Sequence, residues 1–359
     1  MVYQTTFEFF KEIDFEIIPY GLTFNKPART SRDVLTTRSI LFIKVFFKEN
    51  PSKFGIGECA PIFGLNPESK HDLESNINQV IKNIRLNKCF DSSQIHLPAI
   101  RFAFETAFID LFSQKDRLLF GELPQDTKFP INGLVWMNEF ETMWEEAFQK
   151  VEAGFQVIKL KIGGIDFEDE LRLLSALREK YNDRILIRLD ANGAFTRDEA
   201  MQKLKRLAEF DIHSIEQPIK AGQPIEMQAL CSESPIAIAL DEELIGVNNN
   251  EQKDELLETI RPPFIILKPT LHGGITGCEE WITLAEHKGV NWWATSALES
   301  NIGLNAIAQW LATKQISLPQ GLGTGGLYSN NFHPAWDVSQ GYLKFNNIQE
   351  LNQDIILLK

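Results

Sequence analysis

Charged residues recur at the ends of six short apolar runs in the middle of the chain. The runs are VIKLKI (157–162), ILIRLD (185–190), SIEQP (214–218), IAIALD (236–241), FIILKP (264–269) and NWWATS (291–296). At or near their ends stand, in order, Lys159 and Lys161, Asp190, Glu216, Asp241, Lys268, and Thr295 with Ser296. A buried strand carries an ammonium or a carboxylate only where the charge is paired, bound to a metal or used in catalysis. These positions are therefore candidates for a reaction centre.

The acidic and basic members of this series suggest different parts of one reaction. Asp190, Glu216 and Asp241 offer hard oxygen ligands that can occupy one face of an octahedral ion, which suits Mg²⁺. Zinc is disfavoured because no histidine or cysteine lies at these run ends. Lysines crowded near a dication and near one another are expected to have depressed pKa values, as a general base requires. A metal with a lysine on each face suits removal of a proton next to a carboxylate.

The spacing of the runs predicts the elements that position these side chains. Consecutive runs end 28, 28, 23, 28 and 27 residues apart, with helical patterns between them. This regularity predicts repeated βα units and parallel strands. In a barrel of such units, the carboxyl ends of all strands meet at one mouth, where the chemistry takes place. Alternation along a strand places Lys159 and Lys161 on the same face of their strand. Arg188 and Asp190 likewise share a face of the next strand, and Asn192 continues that face.

The order of patterns along the chain predicts an accessory domain beside the barrel. Strands followed by helices favour an α+β capping domain over residues 1–125, then a (β/α)7β barrel over 126–330. The tail, 331–359, is expected to return to the capping domain and complete it. We expect helices near 68–88, 97–115 and 300–312, the first barrel strand near 129–136, and the eighth within 321–330.

Two segments of the first domain are candidates for covering a ligand. The polar segment 26–38, which includes Arg38, fits a solvated hairpin connection or a substrate-covering loop equally well. The segment GIGECAPIFGLNPES (55–69) predicts a glycine-rich loop with an apolar tip, able to close over a small molecule.

Composition limits the partners. The formal net charge of -13 argues against nucleic acid or an anionic membrane, whereas a small-molecule carboxylate is compatible with a local lysine cluster. Four widely spaced cysteines without a CxxC pair predict reduced thiols, and the N-terminus lacks the pattern of a signal peptide. A cytoplasmic location is therefore expected. A homo-oligomer is compatible with the sequence, which does not fix the oligomeric state.

The chain resembles the enolase superfamily, in its muconate-lactonizing-enzyme-like subgroup, through an ordered series of short motifs. The motifs are Lys159-x-Lys161, Asp190-Ala191-Asn192, Glu216-Gln217-Pro218, Asp241-Glu242 and Lys268-Pro269. The resemblance implies a barrel with an N-terminal capping domain, and Mg²⁺, replaceable by Mn²⁺, held by the three carboxylates. Mandelate-racemase-type members carry a histidine base where this chain has Thr295-Ser296, which disfavours that subgroup.

Within the subgroup, three segments most resemble the o-succinylbenzoate synthase family of menaquinone biosynthesis. They are KPTLHGG (268–274), SALESNIG (296–303) and GLGTGG (321–326). This resemblance implies a hydro-lyase that removes water from 2-succinyl-6-hydroxy-2,4-cyclohexadiene-1-carboxylate by metal-assisted syn β-elimination through an enediolate. Lys161 would remove the α-proton and then help the hydroxyl leave, Lys268 would stabilise the enediolate from the opposite face, and Lys159 would tune Lys161 and contact the carboxylate.

The resemblance also implies supporting roles. Asn192 and Arg188 would hold the metal ligands in place. Substrate would be held by the hydroxyls of Thr295 and Ser296 and by the backbone around Gly321 and Gly323.

Other activities would use the same residues. An N-acylamino acid racemase, a dipeptide epimerase or a cycloisomerase would share the metal and the lysines. Dipeptide epimerases usually show an acidic DxD pair near the eighth strand, and GLGTGG lacks it. A barrel that has lost catalysis and only binds ligands is a more remote alternative, because all six charged positions are present.

Overall fold

The computed structural model describes residues 6–9, 12–29 and 34–358. An antiparallel sheet with two helices precedes a parallel barrel. The N-terminal elements are β1 (Thr6–Glu8), β2 (Ile13–Arg29), β3 (Val34–Phe47), β4 (Asn50–Cys59), α1 (Leu73–Asn87), β5 (Cys89–Asp91) and α2 (Pro98–Phe112). Strands β2, β3 and β4 pair in sequence order, and β1 pairs with β5. Segment 26–38 thus contributes to the β2–β3 hairpin, although its tip, 30–33, lies outside the described residues.

Helix α2 packs unusually close to β4 because two glycines face it. A Cβ atom added to Gly55 or Gly57 would lie 1.9 Å from the carbonyl oxygen of Ala107 or Ala103, respectively. The prediction of a loop beginning at residue 55 is therefore wrong for residues 55–59, which form the end of β4. The glycines there permit close approach of a helix rather than a turn.

Parallel strands and intervening helices form the barrel, as predicted. In chain order the strands are β7 (Gly133–Val135), β8 (Val157–Lys161), β9 (Leu186–Asp190), β10 (Ile212–Glu216), β11 (Ile238–Leu240), β12 (Phe264–Leu267) and β13 (Asn291–Ala294), preceded by the short β6 (Lys128–Pro130). The helices are α3 (Phe140–Glu152), α4 (Phe167–Tyr181), α5 (Arg197–Leu207), α6 (Pro224–Glu233), α7 (Asn250–Ile260), α8 (Gly274–His287) and α9 (Asn301–Ala312).

Residues 320–321 close the barrel between its last and first strands. The sheet runs in the order β7 to β13, and Thr295 and Ile131 form parallel bridges to Gly321 and Gln320. The Gly321 N–H donates to the Ala294 carbonyl at 2.8 Å, on the β13 side. The Gln320 N–H donates to the Pro130 carbonyl at 2.9 Å, on the β7 side. The predicted (β/α)7β architecture is confirmed, with a very short eighth strand.

Local sequence signals fix several helix starts. Thr196 and Glu199 form a capping box at the start of α5, and the Asp166 side chain accepts the Glu168 N–H at the start of α4. Across the residues that the structure describes, none of the helices is long and apolar enough to cross a bilayer.

The tail forms β14 (Trp336–Ser339), β15 (Tyr342–Phe345) and α10 (Gln349–Leu357). Strand β15 pairs antiparallel with β6, so the expected strand at 129–136 is divided between the tail sheet and the barrel. Asn352 in α10 accepts a hydrogen bond from the Arg117 Nε at 3.2 Å. The domain limits near 125 and 330 stay predictions.

A buried ion pair holds the end of α2 against β4. The Arg117 guanidinium donates to Asp110 and, at 2.9 Å, to the Phe54 carbonyl. Asp110 also accepts the Ile56 N–H at 3.0 Å, and both charged side chains are almost fully buried. Removal of the guanidinium would therefore leave an ionised carboxylate in the interior.

We expect Arg117→Met to lower the free energy of unfolding by about 3–5 kcal/mol, because it leaves the buried Asp110 charge uncompensated. Urea unfolding followed by circular dichroism measures this loss. Lys115→Met, which removes the exposed partner of Glu122, is the control and should change stability little. Equal losses in the two variants would contradict this account.

Glu58, near the end of β4, joins the first domain to the start of α9. Its carboxylate accepts the N–H groups of Ser300 at 2.8 Å and Gly303 at 2.9 Å, and the Ser300 hydroxyl. Burial raises the pKa of Glu58 to about 7; the Ser300 and Gly303 hydrogen bonds oppose this, and the Glu299 charge adds to it. The folded state therefore binds this proton more tightly than the unfolded chain does.

A raised carboxyl pKa contributes stability that is present below the unfolded value of 4.5 and is lost as the pH rises through about 7. We therefore expect the free energy of unfolding of the wild type to fall between these pH values, and that of Glu58→Gln to fall less. Any loss of hydrogen bonds in the variant would lower its stability equally at every pH and would not change this slope. Urea titrations across this range test it. The exposed Glu74→Gln variant is the control and should show the wild-type dependence of the free energy of unfolding on pH. The same dependence in Glu58→Gln would contradict the explanation.

Candidate active site

A cavity of about 360 Å³ lies at the carboxyl ends of the barrel strands. The barrel contributes residues that the sequence singled out: Lys159, Lys161, Asn192, Asp241, Lys268, Thr295, Ser296, Gly321 and Gly323. The first domain contributes Leu35 from β3 and the apolar segment 62–65, as expected for a covering loop. Another cavity, of about 370 Å³, is lined by Phe112, Leu118 and Trp310 and lies apart from the strand ends.

Lysines and carboxylates form one buried network at the base of this cavity. Lys159 and Lys161 both contact Asp190 Oδ2, each at 2.8 Å, and Lys159 also binds Glu216. Lys268 binds Asp241 and lies 3.5 Å from Glu216 Oε1. The structure thus brings together all six residues predicted to carry the chemistry.

The carboxylates are bridged by ammonium groups rather than converging on one point. Within the described ranges, no group of three acidic, histidine or cysteine side chains has the geometry to ligate a metal. Two carboxylate atoms in the network, Glu216 Oε1 and Asp241 Oδ1, are nevertheless buried without a hydrogen-bond partner. Buried anionic oxygen atoms with spare lone pairs fit a hard divalent cation.

The network reverses the expected direction of the lysine pKa shifts. Burial alone would lower the pKa of Lys159, but Asp190 and Glu216 outweigh it and hold that pKa above its ordinary value. Asp241 and Glu216 likewise raise the pKa of Lys268 against the effect of burial. Carboxylates therefore set the pKa values of these two lysines in this structure, and the prediction of depressed values beside a dication stays a prediction.

The pKa values of Asp190 and Glu216 are shifted in opposite directions in the same network. Burial opposes ionisation of Asp190, but the surrounding lysines lower its pKa far below the ordinary range. Burial and the neighbouring Asp190 charge raise the pKa of Glu216, and Lys159 and Lys268 only partly offset them. Asp190 is therefore more firmly ionised than Glu216.

The two residues expected to hold ligands in place differ in position. Asn192 accepts from Lys161 Nζ at 2.7 Å, donates to Glu242 at 3.1 Å, and has a left-handed φ of 45°. Such backbone strain in a non-glycine residue is typical of functional sites. Arg188 instead donates to the Pro319 carbonyl at 2.8 Å and stacks on Trp293, so these contacts do not reach a carboxylate.

The expected substrate contacts also differ in availability. The Ser296 hydroxyl donates to Glu299 at 2.6 Å and accepts the Leu298 N–H at 2.9 Å. The Gly321 N–H is used in barrel closure. The Thr295 hydroxyl, in contrast, is buried without a hydrogen-bond partner. Gly323 borders the cavity with open space, since the nearest atom to an added Cβ is at 3.5 Å.

Several cavity residues were not identified from the sequence. Asn132, Leu134 and Trp136 line it from the first barrel strand, and Thr324 lines it after the eighth. Asn132, Leu134 and Trp136 are two residues apart, and this alternation is the signal that could have identified them. His272 is buried, accepts the Lys268 N–H at 3.0 Å and lies 3.8 Å from Asp241.

Arg38 fixes the loops around the mouth. Its guanidinium donates to the carbonyls of Leu298 and Ala60, both at 2.6 Å, and also to those of Ala297 and Pro61. It therefore joins the loop after β4 to the loop after β13. The Asn66 side chain similarly donates to the Thr270 carbonyl at 2.9 Å, which holds segment 62–65 over the barrel.

Comparisons with known proteins agree with this geometry. Residues 142–347 match the family model described as enolase C-terminal domain-like. An o-succinylbenzoate synthase from Desulfotalea psychrophila is 41% identical over 90% of this chain and 96% of its own length. The crystal structure of MenC from Desulfotalea psychrophila LSv54 superposes with a TM-score of 0.80 and 37% identity, covering 92% of this chain and 99% of that chain.

The same fold occurs in a protein with different chemistry. A dipeptide epimerase from Enterococcus faecalis, complexed with Mg and the dipeptide L-Leu-L-Tyr, has a TM-score of 0.78 at 20% identity. The alignment covers 95% of this chain and 98% of the epimerase. The architecture is thus common to lyase and epimerase relatives, and the choice between the two activities depends on the site.

We expect Gly321→Ala to lower the melting temperature by several degrees, because the added Cβ would lie 2.4 Å from Thr295 Oγ1 at the barrel closure. Gly323→Ala is the matched control, since its Cβ meets nothing closer than 3.5 Å. Differential scanning calorimetry compares them. Equal melting temperatures for the two variants would show that this close approach does not constrain the barrel.

Proposed function

Because this chain belongs to the enolase C-terminal domain-like family, we propose that it is a hydro-lyase with o-succinylbenzoate synthase activity. It would remove water from 2-succinyl-6-hydroxy-2,4-cyclohexadiene-1-carboxylate, in the cytoplasm and as a step of menaquinone biosynthesis. The observation that carries the proposal is the placement of Lys161 and Lys268 around one cavity, beside buried carboxylates. The 41% identity to an o-succinylbenzoate synthase supports it.

The order of strands in the barrel places the two lysines on opposite sides. If β7 to β13 are counted as barrel strands one to seven, and 320–321 as the eighth, Lys161 is on the second and Lys268 follows the sixth. Positions four apart in a ring of eight face each other across the axis. The carboxylates of Asp190, Glu216 and Asp241, here called the acid arc, belong to strands three, four and five, between the lysines.

The acid arc is the proposed site of Mg²⁺, with Mn²⁺ expected to substitute. Carboxylate oxygens are the ligands that both ions prefer, and the unpartnered Glu216 Oε1 and Asp241 Oδ1 fit such a role. When bound, the cation supplies positive charge that stabilises the negative charge developing on the substrate carboxylate.

The lysines would carry the proton transfers. Neutral Lys161 would take the proton from the carbon next to the carboxylate, and the resulting ammonium would return it to the departing hydroxyl, which leaves as water. Base and acid on the same face correspond to syn elimination, and the ring becomes aromatic as the new double bond forms. Protonated Lys268 would stabilise the developing negative charge from the other face by its charge alone.

Neighbouring groups would position the base. Asn192 accepts a hydrogen bond from Lys161 Nζ. Lys159 and Lys161 contact the same Asp190 oxygen, so Lys159 places a second positive charge beside the base. The apolar side chains of Leu35, Ile62 and Phe63 cover the cavity and would exclude water from the reaction.

We expect the purified protein to dehydrate the cyclohexadiene acid in the presence of Mg²⁺, and Lys161→Ala to reduce kcat by roughly 10²- to 10⁴-fold through loss of the base. Lys268→Arg keeps a positive charge and should retain appreciable dehydration. Lys205→Ala, on the exposed face of α5, is the control for lysine removal and should match the wild type. Product formation is followed by ultraviolet absorbance, and circular dichroism verifies folding.

The racemase and epimerase alternatives are tested with N-acyl amino acids and dipeptides. Racemisation requires Lys161 and Lys268 as the base and acid of opposite faces, so Lys268→Arg should abolish it. Fast α-hydrogen exchange into both enantiomers, observed by NMR in deuterium oxide and without dehydration of the cyclohexadiene acid, would reject the proposed lyase activity.

A further inference from the structure

Three buried polar atoms on one wall of the cavity have no hydrogen-bond partner among the described residues. They are Asn132 Oδ1, Thr295 Oγ1 and Thr324 Oγ1. Asn132 and Thr324 are only 3% and 5% exposed, and all three residues line the cavity. Proteins rarely leave buried polar groups unpaired, because each has lost its hydrogen bonds to water. Three such groups around one cavity indicate a ligand that completes them.

The topology places these residues opposite the acid arc. Asn132 lies beside the first barrel strand, Thr295 directly follows the seventh, and Thr324 follows the eighth. The acid arc occupies strands three, four and five. The polar residues on strands one, seven and eight are therefore each four positions around the ring from one residue of the acid arc, on the opposite side of the barrel. A ligand that reaches from the acid arc to this wall must therefore pass between Lys161 and Lys268.

Hydrogen bonding separates this group from its polar neighbours. The Ser296 hydroxyl and the Gly321 N–H are already engaged within the protein. Gly321 packs closely against the Thr295 side chain, since a Cβ there would approach Thr295 Oγ1 to 2.4 Å. Available hydrogen-bonding capacity is thus concentrated on Asn132, Thr295 and Thr324.

The chemistry of this wall selects the kind of group that it binds. The Thr295 and Thr324 hydroxyls can donate to carbonyl or carboxylate oxygens, whereas the unpartnered Asn132 atom, Oδ1, only accepts; none of the three groups carries a charge. Among the described residues that line the cavity, the carboxylates are Asp241 and Glu242, which follow the fifth strand. The wall therefore lacks the anion that would hold an ammonium group, whereas it can satisfy an oxygen acceptor.

We propose that the Thr295 and Thr324 hydroxyls, on the wall that they share with Asn132, form a neutral subsite for the oxygen atoms of the succinyl chain, at the end of the substrate farthest from the acid arc. This inference rests on the proposed function and adds a basis for substrate choice. Substrates with an oxo or carboxylate group at that end bind, and those with an amino group there are rejected. A site that hydrogen-bonds a substrate discriminates strongly against analogues that leave its polar groups unpaired.

Binding of the product measures the subsite without turnover. We expect Thr324→Val and Thr295→Val, which keep side-chain shape, each to weaken o-succinylbenzoate binding by roughly 3- to 10-fold in calorimetric titrations with Mg²⁺. Benzoate, which lacks the chain, should bind all variants alike. Thr324→Ser restores the hydroxyl and should recover the wild-type affinity, and Thr283→Val on the exposed face of α8 is the matched control.

Two analogues distinguish the oxygen that is recognised. 2-Butyrylbenzoate keeps the oxo group alone, and 2-(3-carboxypropyl)benzoate keeps the terminal carboxylate alone. An analogue that binds the valine variants more weakly than the wild type carries the oxygen that the subsite recognises. Weaker binding of either analogue supports the subsite. In turnover, the valine substitutions should raise KM with little change in kcat.

The outcomes separate this inference from the proposed function. Wild-type affinity for o-succinylbenzoate in both valine variants would overturn the subsite while leaving the lyase activity intact. A loss of affinity in a protein that does not dehydrate the cyclohexadiene acid would support the subsite and reject the proposed reaction. Failure of the wild type to bind o-succinylbenzoate would overturn the subsite.

Discussion

The structure depends on mutual neutralisation of three carboxylates and three ammonium groups inside the barrel. Asp190, Glu216 and Asp241 are almost fully buried, and each is in contact with a lysine from the second or sixth barrel strand. A buried charge that loses its partner is destabilising, so the removal of any one of the six lowers stability. The cluster as a whole is neutral. A dication would add two positive charges, and the proposed substrate, a dicarboxylate, would bring two negative charges.

The first domain makes this cluster into an enclosed site. Arg38 and Asn66 attach the loops of that domain to carbonyl groups beyond the sixth and seventh barrel strands, and Glu58 binds the start of α9. Leu35 and segment 62–65 then supply the apolar cover. Hydrogen bonds between the domains therefore position hydrophobic groups over a charged floor, which lowers the local dielectric and strengthens the electrostatic interactions inside.

The sequence predicted the features that follow from periodicity and from the high energetic cost of buried charge. The βα repeat gave the barrel, and the charged strand ends gave the residues that line or contact the cavity, although their roles stay predictions. The sequence did not reveal that Gly55 and Gly57 serve helix packing, because glycine permits a turn and a close approach alike. Nor did it show how closely Asp190, Glu216 and Asp241 approach Lys159 and Lys268 and raise their pKa values.

The choice between similar polar residues also lay beyond sequence reasoning. Ser296 and Thr295 are adjacent hydroxyls, yet one is satisfied by Glu299 and the other has no hydrogen-bond partner. That difference depends on Glu299 being held by Thr270 and on the Leu298 backbone, with its φ of 64°. The Ser296–Glu299 contact is local, but the Thr270 contact that holds Glu299 joins two different loops, and no local pattern encodes it.

Pairing of segment 327–330 with β2 has a consequence for how the chain reaches its native state. β2 is an edge strand of the first sheet, and its Asn25 N–H and Thr23 carbonyl bind Leu327 and Ser329, about 300 residues later in the chain. During synthesis, this edge therefore stays unpaired by segment 327–330 until that segment has left the ribosome. Open strand edges recruit other chains. Nascent molecules are thus vulnerable to aggregation through this edge until segment 327–330 pairs with it, and truncation before residue 327 would leave that vulnerability permanent.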